Sequence, residues 1–353
     1  MLFALLASLI APQGADLALH PRSIVGSDGA LVSGQYVVVR GERILSVSAT
    51  APTGMRVVEL DGVLAPGMVD AFSGFGAAAR LTEESRQLTP DLRAVDGLDL
   101  DGKSWEEFVA HGVTTVHLVP EPSNALAGWG ALVATGGLKR RAAETTIQIG
   151  SLITWTYDER VGPVSLPGAL ELLEPALAGG TTAFPRGISF VVEDAEGIRA
   201  ARALCEKHKI LRRPFVLTGE IGAYAGETAG ELVIVPAIGT SGARAREAEV
   251  FKRLHTAGTR IAFGTRLGAE GPGALRNAAM LLARANGAPA AAWKSVCSAP
   301  AEAMGLEKEV GVIAAGARAD LVLWTAHPLD AAARVQSVMI GGQTVHASAP
   351  TLR

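Results

Sequence analysis

Cysteine is nearly absent from the 353-residue sequence, which holds only Cys205 and Cys297. Two thiols so far apart supply neither a disulfide framework nor a close metal pair, and both read as small buried apolar residues. An excess of either charge is missing too. Charged residues make up 19% and the formal net charge is -3. The densest basic cluster, Lys139, Arg140 and Arg141, reads as a solvated helix face, which argues against nucleic acid as a partner. Long apolar runs are also lacking. Charges, glycine and proline interrupt every such stretch after the first, and none reaches the roughly twenty residues that span a bilayer.

The first stretch is different in kind. Leu2 to Ala11 is a ten-residue apolar run, too short for a span but suited to the core of a signal peptide. Pro12, Gln13, Gly14 and Ala15 supply the cleavage region, although no Lys or Arg precedes the run. The expectation is removal of residues 1–16 and export to the periplasm or the exterior. A buried first segment in a cytoplasmic protein is the alternative. With 48% hydrophobic residues, the remainder can bury a large core. Its length suits one large α/β barrel with a small accessory domain, or two ordinary domains.

Both ends of the chain are β-rich. Gln35 to Arg40 reads as a strand, Gly41 to Arg43 as a turn and Ile44 to Val47 as the returning strand. Asp320 to Trp324, Val335 to Ile340 and Gln343 to His346 repeat this style, with Gly341-Gly342 as a hairpin turn. The middle alternates instead. Trp105 to His111 is a helix ending at Gly112 before the strand Val113 to Val119. Leu170 to Ala178 is followed by Gly179-Gly180 and a strand at Thr181 to Phe184. Ala245 to Ala257 ends at Gly258 before Thr259 to Phe263. Glycine ends a helix cheaply in the left-handed conformation, so each unit is helix, cap and buried strand. Further strands are expected at Ile188 to Val192, Pro214 to Leu217 and Leu232 to Val235. This alternation predicts a parallel sheet covered by helices, and about 240 residues of it suit an eight-stranded barrel.

In such a barrel the reactive groups lie where strands end. The residues there are Phe72, Ser73 and Gly74; Glu121; Glu193 and Asp194; Thr218 and Glu220; and Thr265 and Arg266. No histidine stands among them. His111 and His255 fall in last helical turns, where the helix dipole favours a cation. His208 sits at another helix end, His117 lies inside a strand, and His20, His327 and His346 belong to the β-rich ends. None has a partner at ligand spacing, so all read as structural. There is no Gly-x-Ser-x-Gly elbow, phosphate loop or Cys-x-x-Cys. Gly128-Trp129-Gly130 and Gly136-Gly137 read as loop glycines. Glu193, Glu220 and Arg266 are candidates for an acid/base group at the barrel mouth, with a surface ion network as the favoured alternative.

Val63-Leu64-Ala65-Pro66-Gly67-Met68-Val69-Asp70-Ala71 resembles the start of the first barrel strand in the amidohydrolase superfamily. Gly112 to Val116 resembles its second strand. Thr89 to Arg93 and Asn124 to Gly130 are similar to its exported, imidazolonepropionase-like branch. Ala299 to Leu306 is similar to its last helix, and Gly316 to Val322 to its ending. The resemblance runs from about Leu17 to Val345 and is weakest between Gly137 and Gly187. It implies a (β/α)8 barrel over residues 63–305 and a small composite β-sandwich from residues 17–62 and 306–353.

The family hydrolyses non-peptide C–N bonds with one or two divalent metals such as zinc, because bound metal lowers the pKa of water towards about 7. The resemblance places the His-x-His ligands at Phe72 and Gly74, the fifth-strand ligand near Val191 or Glu193, the sixth-strand ligand at Thr218 and the final Asp at Arg266. No lysine occupies Gly130 to Thr135. The expectation is therefore a homologue without metal that acts by binding a small ligand at the mouth or by pairing with an active paralogue; a homodimer is implied by analogy. The alternative is hydrolysis at a non-standard or metal-free site.

Overall fold

The computed structural model describes residues 16–74, 81, 83, 85–136, 142–151, 163, 165–218, 221–237, 244–265 and 271–348. The proposed signal segment, Glu220 and Arg266 lie outside these residues, apart from Asp16. No described helix is long and apolar enough to cross a membrane.

The chain opens with strands β1 (Leu17–Val25), β2 (Leu31–Ser33), β3 (Tyr36–Arg40), β4 (Arg43–Ser48) and β5 (Arg56–Pro66). The middle supplies β6 (Met68–Ser73), β7 (Val113–Leu118), β8 (Trp129–Ala134), β9 (Ala142–Ser151), β10 (Ile188–Val192), β11 (Phe215–Leu217), β12 (Leu232–Pro236) and β13 (Arg260–Gly264). The chain closes with β14 (Leu321–Trp324), β15 (Val335–Ile340) and β16 (Gln343–Ala347). Helices are α1 (Ser104–Ala110), α2 (Leu166–Ala176), α3 (Gly180–Ala183), α4 (Ala195–His208), α5 (Arg244–Thr256), α6 (Gly273–Asn286), α7 (Pro289–Lys294) and α8 (Ser298–Ala303).

One sheet joins the two ends of the chain in the order β16-β15-β14-β5-β1-β3-β4, with β2 beside β1. The join is the antiparallel ladder from Val63–Pro66 to Leu321–Trp324. Alternate residues Val37, Val39, Ile44, Val58 and Leu64 pack with Ala317, Ala319, Leu321 and Met339 into a core of their own. That follows from the two-residue period of a strand.

The second sheet runs β13-β12-β11-β10-β9-β8-β7-β6, so the α/β expectation is met. Strands β9 to β13 pair in parallel, as do β6 and β7. The expected all-parallel sheet is corrected at β8, which pairs antiparallel to both β7 and β9. It arises where Gly128-Trp129-Gly130 reads as loop in the sequence. Ala131 and Val133 are buried there, and flanking strands satisfy the backbone on both edges. Thr181 to Phe184 is corrected as well. Gly180–Ala183 is a helical turn, and Thr181, Thr182 and Ala183 are exposed, so these residues have no apolar burial to hold a strand. The caps at Gly112 and Gly258 are left-handed as expected, with φ of 79° and 77°.

The two faces of the second sheet are filled differently. Phe190 and Val192, Phe215 and Leu217, Val233 and Val235, and Ile261 and Phe263 join the core that also holds Trp105, Phe108, Leu173, Leu204, Phe251, Leu254 and Leu275 from the helices. Val191, Val216, Ile234 and Ala262 point the other way and pack with Ala71, Phe72 and Val119. That inner cluster also takes Ala299 and Ala303 of α8. Small side chains let this short helix fit against the strands.

Edge strands β6 and β13 approach each other without a backbone ladder among the described residues. A Cβ on Gly264 would lie 2.6 Å from the Phe72 amide nitrogen and 2.7 Å from its carbonyl oxygen. Beside this approach, Phe263 N donates to Ser295 O and Val69 N to Val296 O, both at 2.8 Å. Gly264→Ala is expected to force the edges apart and to lower stability by about 1–3 kcal/mol, the usual cost of overpacking. Urea unfolding measures this, and an unchanged midpoint would contradict the close approach.

Candidate functional site

Asp70 is a carboxylate in the middle of an apolar strand, fully buried. Its Oδ1 accepts from Thr265 N at 3.0 Å and from Phe72 N at 3.1 Å. Its Oδ2 accepts from the Thr265 hydroxyl at 2.6 Å, and the hydroxyls of Thr265 and Ser73 are 2.9 Å apart. The β6–β7 register shifts between Asp70 and Ser73, and Phe72 N turns to the Asp70 carboxylate. Burial pushes the Asp70 carboxyl up to about 6, against the hydrogen bonds from Thr265, Phe72 and Ser73 that hold it down. The net is set by desolvation, since four donors do not replace bulk water around a fully enclosed charge.

Of the residues singled out in the sequence, Ser73 and Thr265 come together, and Asp70 is the missed third member. The available signal was a lone acid inside the apolar run Val63 to Ala71. Phe72 is 2% exposed and belongs to the inner apolar cluster with Val191, Val216 and Ala262. Gly74 is half-buried at the end of β6. Thr218 continues β11 beside β10. Its amide and hydroxyl both donate to Val192 O, at 2.9 and 3.1 Å. Glu193 is half-buried, and its carboxyl is raised by burial and by the neighbouring Asp194 charge. Asp194 is occupied in capping α4, accepting from Gly197 N at 2.7 Å. The Glu193–Glu220–Arg266 grouping falls outside the described residues because two of its members do.

The histidines are placed as the sequence reading expects. His111 caps α1 and its Nδ1 lies 2.9 Å from Glu107 O. His208 and His255 lie in last helical turns. His117 points into the core, with Nδ1 3.0 Å from Ala71 O. Burial pushes its ring down to about 4, opposed by the Ala71 carbonyl and helped by the Arg213 charge.

A family model described as the Amidohydrolase family matches residues 158–345, more than half of the chain. The chain belongs to the amidohydrolase family. A search of curated protein sequences finds no significant match. Among solved structures, the chain resembles an amidohydrolase from Thermotoga maritima MSB8, with a TM-score of 0.80 and 19% identity over 94% of this chain and 100% of that one. It also resembles a prolidase complexed with N-methylphosphonate-L-proline, with a TM-score of 0.60 and 15% identity over 95% and 100% of the two chains. A third is the ochratoxinase of A. niger, with a TM-score of 0.56 and 13% identity over 96% and 97%. At these identities the likeness carries the fold, which for amidohydrolases implies a TIM barrel with an additional domain.

Asp70 and His117, two of the buried titratable groups among the described residues, act on stability in opposite senses. Native Asp70 keeps a proton between about pH 4 and 6 that the unfolded chain has released. Its contribution therefore falls by about 3 kcal/mol as pH rises through that window. Native His117 lacks a proton that the unfolded chain binds between about pH 4 and 6.5, so its contribution rises by about 3 kcal/mol with pH. Together they offset one another. Asp70→Asn is expected to unmask stability that grows from pH 4 to 6.5, and His117→Gln stability that declines from pH 4 to 6. Urea midpoints across this range check both. Two variants that keep the parental pH profile would refute the assignment.

Proposed function

We propose that this amidohydrolase is a non-catalytic member of its family that works by binding. Phe72 is the observation that carries the reading. It stands where the resemblance puts the first histidine ligand, and its ring is buried among hydrocarbon side chains. Gly74 offers no donor, and the Thr218 hydroxyl is committed to Val192 O. Glu193 supplies one carboxylate, and Asp70 is committed to the seam. These residues do not fit a zinc centre, which takes at least three protein ligands.

The binding role has two forms. A small ligand is held at the mouth, above the buried Phe72, Ser73 and Thr265, by Gly74, Glu193, Thr218, Glu220 and Arg266, or the barrel face pairs with an active paralogue or a second copy. The composite sheet is taken as the small sandwich domain of the family, and the Leu2 to Ala11 run as an export signal of the imidazolonepropionase-like branch. A second reading rests on the raised Glu193 carboxyl: hydrolysis without metal, with Glu193 as the base.

Elemental analysis after incubation with Zn²⁺ and removal of excess tests the first reading. The expected result is no stoichiometric metal and no hydrolysis of amides or cyclic amides; bound metal together with amide hydrolysis would overturn it. For the second reading, any hydrolysis found without metal is expected to fall by about 100-fold or more in Glu193→Gln. A rate equal to that of the parent chain excludes Glu193 as the base.

A further inference from the structure

Arg213 lies at the end of the parallel strands opposite Ser73 and Thr265. It precedes β11, and its amide donates to Ile188 O at 2.8 Å where β10 begins. Arg202, Arg212, Arg213, Arg276 and Arg318 are the half-buried arginines among the described residues. Arg202 and Arg212 meet the Glu231 carboxylate at 2.7 and 2.9 Å, and Arg318 lies 3.4 Å from Asp320. Arg276 donates from two nitrogens to the carbonyls of Pro328 and Asp330. Arg213 is different. Its Nε donates to Arg186 O at 2.6 Å, while Nη1 and Nη2 have no hydrogen bond or ion pair among the described residues.

The charge beside it is another arginine. Arg186 is exposed and its guanidinium also meets no carboxylate among the described residues. Burial and the Arg186 charge both push the Arg213 guanidinium down, and Glu307 opposes them without reaching ion-pair distance. Room is left at the head group, because Gly305 has no Cβ where one would lie 3.3 Å from Nη1. Desolvating a cation beside a like charge is costly unless an anion joins them.

We propose that Arg213 and Arg186 form a binding site for a small oxyanion of the phosphate class, at the N-terminal end of the parallel strands and apart from the mouth. A dianion with several acceptor oxygens can be shared between two planar forks, each offering paired N–H donors. A side-chain carboxylate of the protein is the competing occupant, and among the described residues Glu307 is the one in reach.

The test is calorimetric titration of the full chain with inorganic phosphate at low ionic strength, with sodium chloride of equal ionic strength as the control. Saturable binding is expected. Arg213→Gln is expected to weaken it about tenfold or more, Arg186→Gln to weaken it less, and Glu307→Gln to tighten it. Circular dichroism confirms that the variants fold, and the exposed Arg186 keeps the test decisive if Arg213→Gln does not. Acetate reports on carboxylate ligands, and acetate binding as tightly as phosphate would overturn the phosphate assignment. No saturable heat up to about 10 mM phosphate, or unchanged binding by Arg213→Gln, overturns the site. So does a Glu307→Gln variant that loses thermal stability while neither it nor the parent chain binds phosphate, since that marks Glu307 as the occupant.

Discussion

The carboxylate of Asp70 spans the gap between the first and last strands of the second sheet, β6 and β13. A sheet that curls until its edges meet has to satisfy those edges, and a ladder is the usual means. Here Gly264 and Phe72 come too close for a side chain between them, and the linkage passes through Asp70 to Thr265 N and Oγ1. Ser295 and Val296 complete it by accepting from Phe263 and Val69. Behind this link, Ala299 and Ala303 of α8 pack on the inner face with Val191, Val216 and Ala262.

The carboxylate is stable in that position for a reason its burial alone would not suggest. A buried ion without partners costs several kcal/mol. Asp70 instead receives two backbone amides and the hydroxyls of Thr265 and Ser73. The remaining penalty shows as a carboxyl raised to about 6. His117 pays in the opposite direction, held neutral by burial beside Ala71 O. The core thus carries two groups whose pH responses have opposite sign over nearly the same interval.

Elements whose signal is local were legible in the sequence. Ile188–Val192 and Val335–Ile340 have the bounds that the apolar pattern predicts, and Gly112 and Gly258 take the left-handed caps that end helices. Family membership was legible too, because the motifs around Gly67, Gly112 and Ala317 fix turns and close packing. The failures are tertiary. β8 depends on finding edges on both β7 and β9, which nothing within Trp129–Ala134 announces. Thr181 to Ala183 has strand-forming threonine but no apolar burial. Asp70 is visible as an acid among aliphatics, yet its partner Thr265 lies 195 positions away. Arg213 reads in the sequence as one charge among Leu211-Arg212-Arg213-Pro214, and only packing shows that its neighbour pairs with Glu231 while it does not.

Closure and chemistry use different atoms at the same strand ends, and this lets one be lost without the other. Asp70 points across the seam to Thr265, so its hydrogen bonds are met whether or not residues 72 and 74 carry metal donors. A phenyl ring at position 72 adds apolar area to the inner cluster rather than leaving a buried imidazole in need of a partner. The phenyl ring at position 72 therefore adds to the core locally and leaves the seam intact. The two ends of the strands differ in chemistry, one burying Phe72 and Thr265 beneath it, the other holding the half-buried guanidinium of Arg213.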